Sequence, residues 1–528
     1  TTVTFNGSSS TIGGSRPTSF ANLTVATSRK VKLDQAITVG GTFTNSGDFN
    51  INQKNVTFNG AVINNGTFKT YIPMQPAANS QLTFKQNFNN NGTFTADSKN
   101  TAIFQGQNSK ITGTSEPEFG NLTIDGPAKL KLENNIKVAG IFKKNGYFDA
   151  NTKTVTFTTS ASEIKDGSEP TFFNLTIASG ATLKLNRDTV KISGTFTNNG
   201  SFDHNNKTVI FNGLLSKIAG NTETKFYNLT VDANKILHLE QNIIIAAFLE
   251  NGGIFKAEGN TVKLNPVGTD IKIKGKNTAT DTTFAEVSCL GAGGKTLTIN
   301  GKIMVADLKI GGASEVNKLT VQGGAASEIT LTSNQTPDPG TKKGYYLNVN
   351  TNIPIADGKT YYVAESVLGN PNPKNWEHMS STWKTNATTT NWNTASNWTP
   401  EVVPAADWPV IIPAGGTKYP KLTTNVSAKS VKVNGELDLA DYVINDTSNT
   451  APLTNNGLLK MTGTAGSPTN QKDWLESSNT NDFITHIAGS KIEYYSNTNN
   501  SVWDGPYKNL ILGENRAILT ANDCSFFF

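Results

Sequence analysis

The chain has 528 residues and a formal net charge of +5, with 36% hydrophobic and 16% charged residues. Both shares fall below globular norms, which argues against a string of domains with thick two-layer cores. The positive excess is weak and unclustered, which excludes a nucleic-acid footprint. The deficit is filled by Asn, Thr, Ser and Gly, a composition suited to a thin sheet structure with a narrow interior.

Apolar residues alternate from the start: Val3 and Phe5, Leu23 and Val25, Val31 and Leu33, Ile37 and Val39. Period two places them on one face of short strands. Gly, Asn, Ser and Asp lie between, where tight corners need residues that tolerate left-handed backbone. The first unit reads as six strands, at 3–5, around Ile12, and at 23–25, 31–33, 37–43 and 49–51. Residues 56–100 form an irregular unit, interrupted at Tyr71-Ile72-Pro73-Met74-Gln75-Pro76.

A repeat then becomes explicit. Phe20-Ala21-Asn22-Leu23-Thr24-Val25 returns as Phe119-Gly120-Asn121-Leu122-Thr123-Ile124, as Phe172-Phe173-Asn174-Leu175-Thr176-Ile177 and as Phe226-Tyr227-Asn228-Leu229-Thr230-Val231. Asn121 and Asn174 are 53 residues apart, and Asn174 and Asn228 are 54 apart. Thr2-Val3-Thr4-Phe5, Thr154-Val155-Thr156-Phe157 and Thr208-Val209-Ile210-Phe211 keep the same step. The expected fold is all-β, a parallel β-solenoid (β-helix) of ~53-residue units in two segments. Three strands per coil would give two coils of roughly 26 residues in each unit, stacked at the inter-strand spacing. A β-sandwich array is the competing reading, and would show longer strands and units nearer ~90–100 residues.

The repeat decays after residue 284, and all seven Trp follow residue 375. The organisation expected is a repetitive solenoid over 1–335, an irregular β or linker region over 336–375, a Trp-rich entry or cap segment over 376–430 and a second solenoid segment over 431–528. There the grammar resumes in Val431-Lys432-Val433-Asn434-Gly435 and in Tyr507-Lys508-Asn509-Leu510-Ile511-Leu512. The opening inside a strand and the terminal Phe526-Phe527-Phe528 lead us to expect a piece of a longer exported protein.

The recurring Asn22, Asn121, Asn174, Asn228 and Asn509 are candidate corner residues that bond the backbone of an adjacent coil. The first four also match the Asn-x-Thr glycosylation pattern, whereas Asn509 does not. Thr189 and Thr282, in Asp-Thr-Val and Asp-Thr-Thr, are candidate O-glycosylation sites. Trp383, Trp392, Trp398 and Trp408 could form either a capping core or a platform on which sugar rings stack. Gly291-Ala292-Gly293-Gly294-Lys295-Thr296 imitates a phosphate loop, but Cys289 stands where its first Gly belongs and a strand pattern follows it. The four His are isolated, and Cys289 and Cys524 imply no disulfide framework. No catalytic, cofactor-binding or metal-ligating set emerges. No stretch approaches the ~20 apolar residues of a membrane helix.

Thr389-Thr390-Asn391-Trp392-Asn393-Thr394-Ala395-Ser396-Asn397-Trp398, followed by Val403-Pro404 and Val410-Ile411-Ile412-Pro413-Ala414-Gly415, resembles a module of large repetitive bacterial cell-surface proteins. The Thr-Phe-Thr-Asn-Asn-Gly-Ser-Phe repeat resembles their parallel β-helix stalks. The resemblance implies an exported adhesin, filament or surface-layer component and carries over no catalytic residue. The expected role is thus an extracellular structural protein: a rigid rod, a stalk, or a surface-layer or filament subunit. Its expected partners are copies of itself or other surface proteins. The alternative is an adhesin that binds glycan or host protein through the Trp-rich segment, and a β-helix carbohydrate-active enzyme ranks last.

Overall fold

Short strands can enclose a core by stacking side by side, and this chain stacks strands of two to nine residues, nearly all in parallel. The structure is a computed structural model. It describes residues 1–71, then 78–332 apart from 269, 293, 314–316 and 325, and most of 343–462, together with 484–486, 490–495 and 510–512. The strands form a β-solenoid of about 19 turns. Among the described residues the only helical elements are two 3-10 turns, Ala279–Asp281 and Ala395–Asn397, and no helix is long and apolar enough to cross a membrane.

The first 58 residues set the pattern with β1 (Thr2–Phe5), β2 (Ser9–Ile12), β3 (Thr18–Phe20), β4 (Asn22–Val25), β5 (Lys30–Leu33), β6 (Ile37–Val39), β7 (Phe43–Asn45), β8 (Asp48–Asn50) and β9 (Val56–Phe58). Each strand pairs with the third strand after it. β1, β4 and β7 build the first sheet, β2, β5 and β8 the second, and β3, β6 and β9 the third. Thr2 lies beside Asn22 and Leu23 beside Phe43, so one turn takes 20 residues. The step is 26 between Val62 and Phe88 and 18 between Leu130 and Phe148.

This corrects the expected coil of roughly 26 residues. The first unit holds eight strands rather than six. Thr18–Phe20 is a strand separate from Asn22–Val25, and the run 37–43 is broken by a corner at Gly40-Gly41. The backbones there approach so closely that a Cβ on Gly41 would sit 2.7 Å from Ala21 O. Eight strands at three per turn make two and two-thirds turns. Each regular repeat therefore rotates its landmarks by one face. The Asn-Leu-Thr strand lies in the first sheet at Asn22–Val25, in the third at Asn121–Ile124 and in the second at Asn174–Ile177. The irregular unit holds six strands, two whole turns, so Val56–Phe58 and Asn100–Phe104 share the third sheet.

Inside, like residues stack on like. Phe58, Phe84 and Phe104 follow one another with ring centroids 5.6 and 4.9 Å apart, and Phe49, Phe68 and Phe94 do the same at 5.2 Å. Each ring is buried or nearly so, a stabilisation of about 1.5–3 kcal/mol per side chain before entropy costs. The interior also holds amides. Asn45 Nδ2 donates to Asn64 Oδ1 at 2.8 Å, and Asn64 Nδ2 donates to Asn90 Oδ1 at 2.7 Å. All three are fully buried. The ladder is tolerated because each side chain also bonds a corner: Asn45 Nδ2 donates to Thr67 O and Asn64 Nδ2 to Thr93 O, both at 3.0 Å.

The chain divides into two compact units. The first comprises Thr1–Ser333, Asn348–Gly358 and Gly369–Lys374; the second comprises Asn334–Leu347, Lys359–Leu368 and Asn375–Phe528. Within the region expected as irregular β or linker, 336–375, Ile355 pairs with Ile329, and Tyr361 with Trp376. In the second unit Trp398–Thr399 pairs antiparallel with Ser381–Trp383. The sheet then continues in parallel through Pro409–Ile412, Ser430–Val433, Leu453–Asn455 and Ile484–His486.

Candidate functional site

The core is uniform from turn to turn, so local differences arise at the corners. Between the second and third sheets the chain crosses in four residues at 96–99, in one at Gly120, in two at Ala139 and Gly140, and in four at 158–161. Two short corners flanked by longer ones leave a saddle of about 790 Å³ in the first unit. Asn121, Gly140 and Ile141 are on its floor. Gln81, Lys99 and Thr101 line one side, and Thr159, Ala161 and Lys165 the other.

The floor is rigid because its backbone is fully engaged. Ala139 N–H donates to Phe119 O at 2.8 Å, Gly140 N–H to Gly120 O at 2.7 Å, and Glu163 N–H to Gly140 O at 3.1 Å. Glycine is required at Gly120, where a Cβ would lie 1.9 Å from Asp97 O. Asn121 is also spent internally: its Oδ1 accepts from Ile141 N–H and its Nδ2 donates to Ser98 O, each at 2.8 Å. Thr159 Oγ1 donates to Ala139 O, and Glu163 accepts from Asn186 Nδ2 at 3.1 Å. The side chains of Gln81, Lys99, Thr101 and Lys165 make no hydrogen bond or ion pair with any described residue. They are the groups this surface offers to an outside molecule.

The expected corner residues fall as follows. Asn22 Oδ1 accepts from Thr42 N–H at 2.8 Å and Asn174 Oδ1 from Thr195 N–H at 2.9 Å, in each case one turn onward. Asn174 and Asn228 donate Nδ2 to Thr154 Oγ1 and Thr208 Oγ1 of the turn before, at 3.4 and 3.1 Å. Asn509 lies outside the described residues. Thr189 sits on a partly exposed strand position beside Asp188, whose carboxylate pairs with Lys207 at 2.8 Å. Thr282 is fully buried, and its Oγ1 accepts from Asn251 Nδ2 at 2.8 Å, so the folded chain withholds it from a glycosyl donor.

The Trp cluster is a core. Trp383, Trp392, Trp398 and Trp408 are at most 3% exposed. Trp398 meets Trp383 and Trp392 edge to face at 4.9 and 4.8 Å. Trp383 Nε1 donates to Lys418 O at 2.8 Å and Trp398 Nε1 to Trp392 O at 2.7 Å. Rings buried in this way have no face to offer a sugar, so of the two readings the packing fits a core rather than a stacking platform. Asn397 of the same motif is fully buried and ties Thr389 Oγ1 to Asn391 O through its Nδ2.

The phosphate-loop imitation is a turn between strands. Gly291 and Gly294 take left-handed φ of 70° and 68°. Thr296–Asn300 follows as a strand, and Lys295 Nζ is spent on Gly268 O at 2.7 Å. Without a helix N-terminus the loop lacks the amide cradle a phosphate needs. Among the described residues no three His, Cys, Asp or Glu gather as metal ligands. Sequence reading passed over Lys99 and Lys165. The available signal was the uneven corner spacing, visible only once strands are assigned to sheets.

No protein family, no curated protein and no solved structure matches this chain.

Proposed function

We propose that this protein is an extracellular structural component of a bacterial cell surface, acting as a stiff stalk or as a subunit of a surface layer or filament. The observation that carries the reading is the continuity of the stack. Backbone ladders, Phe columns and the buried Asn ladder each pass from one turn to the next in register. Outward ion pairs repeat the linkage, with Lys110 to Glu133 at 2.8 Å, Lys191 to Glu169 at 2.6 Å and Lys217 to Glu240 at 2.6 Å each joining adjacent turns. Exposed pairs of this kind contribute little singly, about 0–1 kcal/mol. The proposed role is mechanical: bending would have to break many parallel hydrogen bonds together. The resemblance of the Trp-Asn module and the Thr-Phe-Thr repeat to surface proteins supplies the compartment.

The test is immunogold labelling of intact and lysed cells of the source organism, with negative-stain imaging of the purified chain. Surface label together with elongated particles is the expected result. Label confined to lysed cells, or compact globular particles, would refute the reading.

A further inference from the structure

The saddle over the short corners supports a binding role beyond the mechanical one. We propose that it holds one strand of an anionic, carboxylate-bearing polysaccharide. Lys99 and Lys165 stand on opposite sides with no counter-ion among the described residues, and Gln81 and Thr101 add an uncommitted amide and hydroxyl. Some other surface lysines are paired, as at Lys110, Lys137 and Lys191, so what marks this pair is its place on one channel rather than the lack of a partner alone. Two unpaired ammonium groups across an open channel attract negative charge. The one carboxylate in the lining, Glu163, is engaged by Asn186.

The choice of glycan over acidic peptide follows from the floor. A peptide gains affinity by adding to exposed backbone or by seating apolar anchors in pockets. Here Ala139 N–H, Gly140 N–H and the Gly140 carbonyl are already bonded within the solenoid. The apolar lining is limited to Ala139, Ile141 and Ala161. What remains is a donor-rich set of side chains, suited to hydroxyl and carboxylate oxygens. A volume of about 790 Å³ holds a few sugar rings, and the channel is open to a longer polymer.

The experiment is affinity electrophoresis and calorimetry of the full chain with polygalacturonate, neutral dextran and poly-glutamate. Polygalacturonate binds, weakening as salt rises, while dextran does not bind and poly-glutamate binds much less tightly. The double variant Lys99→Glu/Lys165→Glu raises the Kd for polygalacturonate about ten-fold or more. Lys30→Glu/Lys129→Glu alters two exposed lysines outside the saddle by the same charge and shifts it less than about two-fold. Thr101→Val leaves the charge unchanged and weakens binding by a few-fold. Absence of polygalacturonate binding, equal weakening by both double variants, no effect of Thr101→Val, or equal affinity for dextran or poly-glutamate would each overturn the proposal. These outcomes leave the mechanical reading to its own imaging test.

Discussion

Replacing Asn64 by Ala probes the buried amide ladder at its centre. Asn64 accepts from Asn45 Nδ2 at 2.8 Å and donates to Asn90 Oδ1 at 2.7 Å and to Thr93 O at 3.0 Å, with no solvent exposure. Truncation strands one proton of Asn45 Nδ2 and the Oδ1 of Asn90 in a dry interior. Each unsatisfied buried group costs about 1–3 kcal/mol. Asn45 keeps its bond to Thr67 O, so the lower part of that range applies to it, and a net loss of about 3 kcal/mol is expected. A repeat stack need not unfold in one step, so the assay is local hydrogen exchange. Amides of strands 43–45, 62–64 and 88–90 should exchange about 150-fold faster, the equivalent of 3 kcal/mol. The neighbour Asn65 is the control, because its Oδ1 accepts from Asn91 Nδ2 at 2.9 Å on the exposed side. Asn65→Ala should change exchange by less than about three-fold. If both variants behave alike, or if protection falls evenly along the chain, the ladder is not what secures these turns.

Three further outcomes follow from other parts of the stack. Gly92→Ala places a Cβ 2.0 Å from Gly66 O and should cost more than about 3 kcal/mol by local hydrogen exchange, whereas Gly180→Ala, in open space at φ 77°, should cost about 1–2 kcal/mol. Burial, with Lys225 nearby, lowers the pKa of His204, and its ring nitrogen Nδ1 accepts from Asn206 N–H at 3.0 Å. The unfolded chain therefore binds that proton more readily; the stabilisation is full above about pH 6.5 and is lost as pH falls through the depressed folded value. His204→Asn should flatten that part of the Tm-against-pH profile. Cys289 is fully buried, and burial pushes its thiol up to about 12. A thiol reagent at pH 8 should reach Cys289, told apart from Cys524 by peptide mapping, only on unfolding, and labelling at Cys289 in the folded chain would contradict its placement.

Much of the fold was legible because a strand writes its burial in period two. Leu23 and Val25, Val31 and Leu33, and Ile37 and Val39 are all buried, with partly exposed residues between them. The Asn-Leu-Thr repeat marked strands correctly, since equivalent residues occupy equivalent local environments. The buried Asn45, Asn64 and Asn90 were less legible, because Asn two residues before Gly also reads as part of an exposed turn. Only stacking on a like residue one turn away makes an amide affordable inside. The same limit applied to the Trp cluster, where an aromatic stripe reads alike as core and as platform until packing covers both ring faces.

By itself, the sequence determined that the chain is all-β, that it repeats every 53 or so residues, and which face of each strand turns inward. Only the tertiary structure decided how many residues close a turn, because corner length depends on how nearly adjacent backbones can approach. Gly40-Gly41 splits one apparent strand into two, and Gly120 shortens a corner to one residue. Those contacts set eight strands to a repeat and three to a turn. Equivalent residues are thus carried onto successive faces, and Lys99 and Lys165, from different repeats, are brought to opposite sides of one saddle.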